Sequence, residues 1–152
     1  LFFIILFHFW LNILAELLRF GDRRFYGDWW NASNLGYYWR HWNLPVHTWL
    51  LRHLFVPARR RGFTRLQASL FVFLFSAVLH ELLISVPCRI VSMYAFWGMM
   101  AQLPLIKLTA QFKSGNVYGN ILFWLVFCII GQPASVMLYY ASYHATHLAH
   151  SH

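Results

Sequence analysis

His80 and Glu81 sit inside an otherwise apolar run, with Phe71-Val72-Phe73-Leu74-Phe75-Ser76-Ala77-Val78-Leu79 before them and Leu82-Leu83-Ile84 after. An ionisable group in such a place is costly to keep and marks a functional site by default. Burial disfavours the imidazolium and leaves a histidine able to accept a proton, which suits a general base. Ser76 lies one helical turn earlier on the same face and would orient the ring. Glu81 is rotated about 100° from His80 around a helix, so it is no obvious dyad partner and would pair with another helix or a water. A His-Glu pair without a second histidine at the right spacing lacks the zinc-protease signature. A hydrogen-bonded contact between helices is the structural alternative for His80.

Other polar groups fall beside prolines. Asn43 precedes Pro45 by two residues, and the proline leaves the carbonyl of His41 without its helical donor. Irregular backbone at membrane depth is tolerated mainly around cavities, which would place Asn43 at a ligand. Equally, Asn43 would cap the helix that Pro45 begins. Gln102 and Gln132 stand two and one residues before Pro104 and Pro133, where each can face a ligand or bond a freed carbonyl. Phe25-Tyr26-Gly27-Asp28-Trp29-Trp30-Asn31 packs large aromatics, one carboxylate and one amide into seven residues. Rings with polar tips favour the membrane-water boundary, and Asp28 and Asn31 would be costly in lipid without partners. Arg40, Arg52, Arg59, Arg60, Arg61 and Arg65 suit phosphates or lipid headgroups alike. Cys88 and Cys128 have no nearby histidine in sequence and are weak nucleophile candidates. His144, His147 and His150, spaced by three, read as a solvated tail before they read as a metal site, and no metal is expected.

The elements that must position these groups are helical. Residues 1–20 are apolar and long enough to span a ~30 Å core at about 1.5 Å per residue. His8, Asn12 and Glu16 recur every four residues there and form one polar stripe that should face protein or a cavity. Residues 21–60 form an interfacial segment: a loop to Asn31, a short helix from Ala32 to Trp42, then a second from Val46 to Phe55. Both are too short and too mixed to span. Further spans are expected near 66–86, 89–112 with a kink at Pro104, and 121–143 with an interruption at Gly131-Gln132-Pro133. Residues 144–152 form a polar, histidine-rich tail. Period-two alternation is missing, which argues against a β-barrel.

Composition agrees with a membrane setting. Sixty per cent of the 152 residues are hydrophobic, 20 % are aromatic and only 11 % are charged. A soluble domain carries about 25 % charged residues, so this chain cannot cover its surface with charge. The net charge of +8 comes from arginines and lysines that flank apolar runs. That is the pattern of cytoplasmic loops, not of a nucleic-acid binder. Two cysteines imply no disulfide framework and fit an intracellular membrane. The sequence opens at Leu1 inside an apolar run, which suggests the C-terminal portion of a longer protein and an active-site chamber needing further segments.

Phe25 to Asn31 resembles the FYxDWWN motif of the sterol and diacylglycerol branch of the membrane-bound O-acyltransferases. Trp42-Asn43-Leu44-Pro45-Val46-His47-Thr48-Trp49 is similar to the next block of the diacylglycerol-acylating members. Ser76-Ala77 with His80-Glu81 resembles their catalytic-histidine helix. Gly98-Met99-Met100-Ala101-Gln102-Leu103-Pro104 and Ile130-Gly131-Gln132-Pro133 resemble two later blocks. The likeness runs in order from Leu1 to about Tyr143.

The resemblance implies an all-α, multi-spanning protein of the endoplasmic reticulum membrane with short interfacial helices. Residues 1–143 would be part of its acyltransferase domain. It implies transfer of a fatty acyl group from acyl-CoA, as co-substrate, to diacylglycerol, with no bound cofactor and with homo-oligomerisation through segments beyond these. It implies His80 as the catalytic residue and Asn43 as its partner. Phe25, Tyr26, Asp28, Trp29, Trp30, Asn31, Gln102 and Gln132 would bind substrate, the first six through acyl-CoA recognition. Rival acceptors are a sterol or a long-chain alcohol. Pro45, Gln102 and the Gly131-Gln132-Pro133 run favour diacylglycerol. A transporter or scaffold using the same polar residues is the alternative of a different class.

Overall fold

The helices that open at Leu35, Leu44, Arg65 and Val117 start where a side chain satisfies a free amide. In a computed structural model that describes residues 3–113 and 115–149, the chain is helical with short connections. Helix α1 is Ile4–Leu17 and α2 is Leu35–His41, whose Asn34 cap accepts from the Tyr37 amide at 2.8 Å. Helix α3 covers 44–60, with Asn43 accepting from the Val46 amide at 3.2 Å and Pro45 in its first turn. Helix α4, Arg65–Cys88, opens on a full capping box. Thr64 accepts from the Gln67 amide, and the Gln67 side chain accepts from the Thr64 amide. It ends at Arg89 in the left-handed region, φ 55°. Helices α5, Tyr94–Met100, and α6, Gln102–Thr109, follow. Helix α7 covers 117–149 and starts at Asn116, which accepts from the Gly119 amide at 3.0 Å.

Two helices widen just before a proline. Leu51–Phe55 in α3 and Trp124–Gly131 in α7 are π-helical, and Pro57 and Pro133 follow them. A proline inside a helix lacks a donor and presses on the carbonyl four residues back. A wide turn there relieves the clash without breaking the rod. Gly131 belongs to this device, because a Cβ there would stand 2.9 Å from the Val126 carbonyl oxygen.

The core lies where α2 meets α6 and α7. Ala32, Leu35, Tyr38, Phe123 and Phe127 are buried together, with Trp29, Trp39, Trp42 and Ile106 packed around them. Backbone amides and carbonyls of the 29–35 segment are held from α6 and α7. The Asn120 side chain donates to the carbonyls of Trp30 and Ala32, both at 2.9 Å, and the Leu35 amide donates to Thr109 Oγ1 at 3.2 Å. Gly119 is required at the crossing, since a Cβ there would lie 2.3 Å from the Ser33 carbonyl oxygen.

Two helices are long and apolar enough to cross a membrane, Arg65–Cys88 and Val117–Thr146. They cover the stretches near 66–86 and 121–143, and the Gly131-Gln132-Pro133 interruption is a π-turn within one continuous helix. Apolar side chains stay exposed along both, Leu83 at 73 % and Val136 at 68 % among them, as on surfaces solvated by lipid. The stretch near 89–112 forms no single rod. After left-handed Arg89 and Met93 it makes α5 and α6, parted at Ala101. The break falls three residues before Pro104, on the turn that a proline four residues on crowds. Among the described residues α1 ends at Leu17, before the close of the apolar run expected to reach Phe20. Its polar stripe faces the interfacial loop: His8 Nδ1 meets the Tyr26 hydroxyl at 3.0 Å and Glu16 pairs with Arg23 at 2.5 Å. Helix α3 is longer than expected, because Pro45 sits in its first turn and does not precede it.

Candidate active site

Helix α4 presents His80 on a half-open cavity of about 460 Å³ lined by α2, α3, α4, Met99 of α5 and Ile106 of α6. His80 Nδ1 donates to the Ser76 carbonyl at 2.8 Å, with the Ser76 hydroxyl at 3.3 Å. A donating Nδ1 leaves Nε2 as the unprotonated nitrogen, the tautomer a general base needs. The ring is exposed to this space. The expected orienting role of Ser76 is therefore met chiefly by its backbone oxygen.

Asn43 lines the same cavity, so residues far apart in sequence meet across one space. It is also the cap of α3, which makes the two readings of Asn43 compatible. Its carbonyl oxygen holds a backbone amide, and its amide group remains a donor. His47, one turn further along α3, is a second histidine on this wall. Burial, with the charges of Arg40 and His41, holds His47 below the ordinary histidine value. Spacing from Asn43 is the signal that would have found it, since residues i and i+4 share a helix face.

The α4 wall of the cavity carries a charged group at one end and an imidazole at the other, with Ser69, Val72, Phe73 and Ser76 between. Arg65 lies at the start of α4 and His80 about 22 Å further along at 1.5 Å per residue. Val72 and Phe73 of α4 and Leu50 and Leu51 of α3 face the space between. Arg40 joins the wall from α2.

The residues from Phe25 to Asn31 lie elsewhere. Phe25 is buried and lines a neighbouring open groove of about 980 Å³ between α1 and α3, together with Arg24 and Arg52. Tyr26 bonds His8. Asp28 accepts from the Tyr37 hydroxyl, a bond that holds its carboxyl below the ordinary aspartate value. Trp29 packs edge-on against Phe3 and Tyr38, and its buried Nε1 has no hydrogen-bond partner among the described residues. Trp30 is 44 % exposed, and its carbonyl accepts from Asn120 and Trp124. Asn31 closes the 3-10 turn Trp29–Asn31 and is exposed. Phe25 and these five residues are absent from the wall of the His80 cavity, whereas Asn43 lines both spaces.

Gln102 is half-buried. It donates to the Gly98 carbonyl at 3.3 Å and keeps a buried oxygen without a partner among the described residues. The carbonyl it bonds is not the one freed by Pro104, which belongs to Met100. The side chains of Gln132 and His147 are not described, and His150 lies outside the described residues. Cys88 and Cys128 are free thiols.

Residues 1–142 match the model of the MBOAT, membrane-bound O-acyltransferase family. The chain is 55 % identical over 137 residues to diacylglycerol O-acyltransferase 1C of Glycine max, covering 88 % of this chain and 26 % of that protein. It is 54 % identical over 136 residues to diacylglycerol O-acyltransferase 1 of Arabidopsis thaliana, with the same coverage. It is 51 % identical over 144 residues to diacylglycerol O-acyltransferase 1 of Chlorocebus aethiops, covering 95 % of this chain and 29 % of that protein. The chain thus spans about a quarter of the length of the curated relatives it matches.

Proposed function

This chain belongs to the membrane-bound O-acyltransferase family, and on that premise we propose that the whole protein acylates diacylglycerol from acyl-CoA, forming triacylglycerol. The observation that carries the reading is His80 with its Nδ1 proton committed to Ser76, on the wall of a cavity it shares with Asn43. Names of relatives at 51 to 55 % identity support the choice of donor class and acceptor.

His80 Nε2 takes the proton of the diacylglycerol hydroxyl. The oxygen attacks the thioester carbonyl, and the tetrahedral intermediate collapses with loss of the CoA thiolate. The imidazolium returns its proton to that sulfur, which leaves triacylglycerol and free CoA. General-base action of this kind contributes about 10²–10⁴-fold. The Asn43 amide is the donor available to the oxyanion or the acceptor hydroxyl. The arginine end of the cavity suits the phosphates of CoA, and the apolar stretch beyond it suits the remainder of the donor. A closed apolar chamber also keeps water from the thioester. Substrate contacts by Gln102 and Gln132 belong to the same reading, although Gln102 lies off the wall of the His80 cavity, and Phe25 to Asn31 shape the donor's approach. No bound metal or organic cofactor is needed for these steps. Location in the endoplasmic reticulum membrane and assembly as a homo-oligomer belong to the same reading, and the two free thiols fit an intracellular membrane.

The test is acyl transfer by membranes containing the whole protein, supplied with labelled acyl-CoA and, in turn, diacylglycerol, a sterol and a long-chain alcohol. Label is expected in triacylglycerol. Label in a sterol ester or wax ester would replace the acceptor, and no transfer to any acceptor would leave a transporter or scaffold.

A further inference from the structure

Of the chain's four acidic residues, Glu81 alone is buried, at 6 % exposure. It has no cation beside it: the one ion pair among the described residues is Arg23 with Glu16. Each of its oxygens accepts two hydrogen bonds instead. Oε1 receives the Ser85 hydroxyl at 2.7 Å and the Met93 amide at 2.9 Å. Oε2 receives the Tyr139 hydroxyl at 2.6 Å and the Phe96 amide at 3.3 Å. The Tyr139 oxygen in turn accepts from the Ala95 amide at 3.0 Å.

Those amides begin α5. Met93 stands before the helix at φ 60° and offers no side-chain cap. The first amides of a helix have no partner within it, so α5 takes its cap from two other helices. Glu81 of α4 and Tyr139 of α7 supply it. Helix α5 carries Met99, one turn beyond Phe96, and Met99 lines the His80 cavity. The same carboxylate is the residue next to His80. It therefore fixes both the rotation of α4 at the base and the seat of the wall beside it.

We propose that Glu81 and Tyr139 form a clasp that positions His80 against the α5 wall, which makes Glu81 a positioning residue for acyl transfer. The proposal rests on the reading of His80 as the base. A carboxylate suits the place because it is acceptor-only, with about four lone-pair sites. Glutamine would turn an amide group toward two donors, and alanine would leave buried amides unpaired. A buried network with every member satisfied holds one arrangement, and a half-satisfied one does not.

Three variants of the whole protein test this: Glu81→Gln, Tyr139→Phe and both together, each compared per folded molecule. Hydrogen exchange at residues 93–96 and steady-state acyl transfer are the two readouts. Glu81→Gln should speed exchange there and lower kcat by about 100-fold, the scale of a ~1 Å misplacement. KM for acyl-CoA should stay within about twofold. Tyr139→Phe, which keeps three of the four bonds and folds more readily, should act in the same direction and less. The double variant should be no slower than Glu81→Gln alone, since the phenylalanine removes one of the two donors facing the new amide.

Unchanged exchange in Glu81→Gln would overturn the clasp. Faster exchange with wild-type kcat would overturn the positioning role, and effects that multiply would show two independent contacts in place of one. If the wild type acylates a different acceptor, the proposed function fails in its acceptor alone, and the same variants are read on that acceptor. If it transfers to none, the positioning role falls with the function, while exchange still decides the clasp.

Discussion

Residues 25–42 and the middle of α4 differ in what surrounds their notable side chains. In the first region most notable side chains are engaged by one another and by α1 with the residue that leads into it: Tyr26 by His8, Asp28 by Tyr37, and the Trp29 ring by Phe3 and Tyr38, while Trp39, Arg40 and Trp42 face the His80 cavity. In the second, His80 uses one nitrogen on its own helix, and its ring opens to a cavity. Density of unusual residues therefore marks the place where packing is decided, and a lone polar group with one free atom marks the place where chemistry is available. Glu81 shows that solitude alone does not separate the two. It stands in the same apolar run as His80, yet it is saturated by four donors and has nothing to offer a substrate.

The largest effect should come from the sparse region. His80→Ala is expected to lower acyl transfer by about 10²–10⁴-fold with membrane insertion unchanged, as read by product formation in membranes. Trp30→Ala, in the dense region, should act mainly through the KM for acyl-CoA. An equal loss of kcat in Trp30→Ala would erase the distinction drawn here.

Packing in the dense region is sharpened by Gly119→Ala. The added Cβ meets the Ser33 oxygen, and the clash should cost about 1–3 kcal/mol, the range for overpacking. Thermal unfolding in detergent measures it. Gly98→Ala is the control, because a Cβ there meets only the Ser135 hydroxyl, at 4.0 Å, and a similar loss at both positions would show that the close crossing is not the cause.

Asn43 belongs to both kinds of region, as cap and as cavity wall. Asn43→Ala should cost about 1 kcal/mol of stability for the cap and lose activity beyond that. Asn43→Asp keeps the acceptor that caps α3 and loses the amide donor. It should recover the stability and not the activity; recovery of both would reduce Asn43 to a cap.

The smallest effect concerns His47. Its burial beside Arg40 and His41 depresses its folded value below 6.5. The unfolded chain then binds the proton more readily, so stability is unaffected well above 6.5. It declines as pH falls from about 6.5 through the depressed value and levels off below it. His47→Gln should flatten that part of the stability curve, measured as the change in Tm between about pH 7.5 and about pH 5.5. An unchanged slope would assign the acid sensitivity to another group.

Much of the fold is legible in the residues. Apolar runs of spanning length locate α4 and α7. The third expected span is where reading along the chain stops short. Residues 89–112 are apolar enough, but left-handed Arg89 and Met93 and the break at Ala101 divide them. Of these states, Met93 is held by Glu81, and the amides that follow it by Tyr139 and Glu81. The candidate site divides in the same way. His80 stands out because an imidazole within an apolar run is costly unless it is used. His47 does not, because its place on the cavity wall depends on how α3 lies against α4.

The sequence by itself determined a helical membrane protein with a candidate base at His80 and a polar break at Asn43. Hydropathy, helical period and the rarity of buried ionisable groups are properties of short windows. Only the tertiary structure decided that His80 and Asn43 face one cavity, that Phe25 to Asn31 lie off its wall, and that Glu81 caps a helix other than its own. Each of these depends on contacts between residues a dozen or more positions apart, and such contacts form only when apolar faces and unsatisfied amides of different helices find one another.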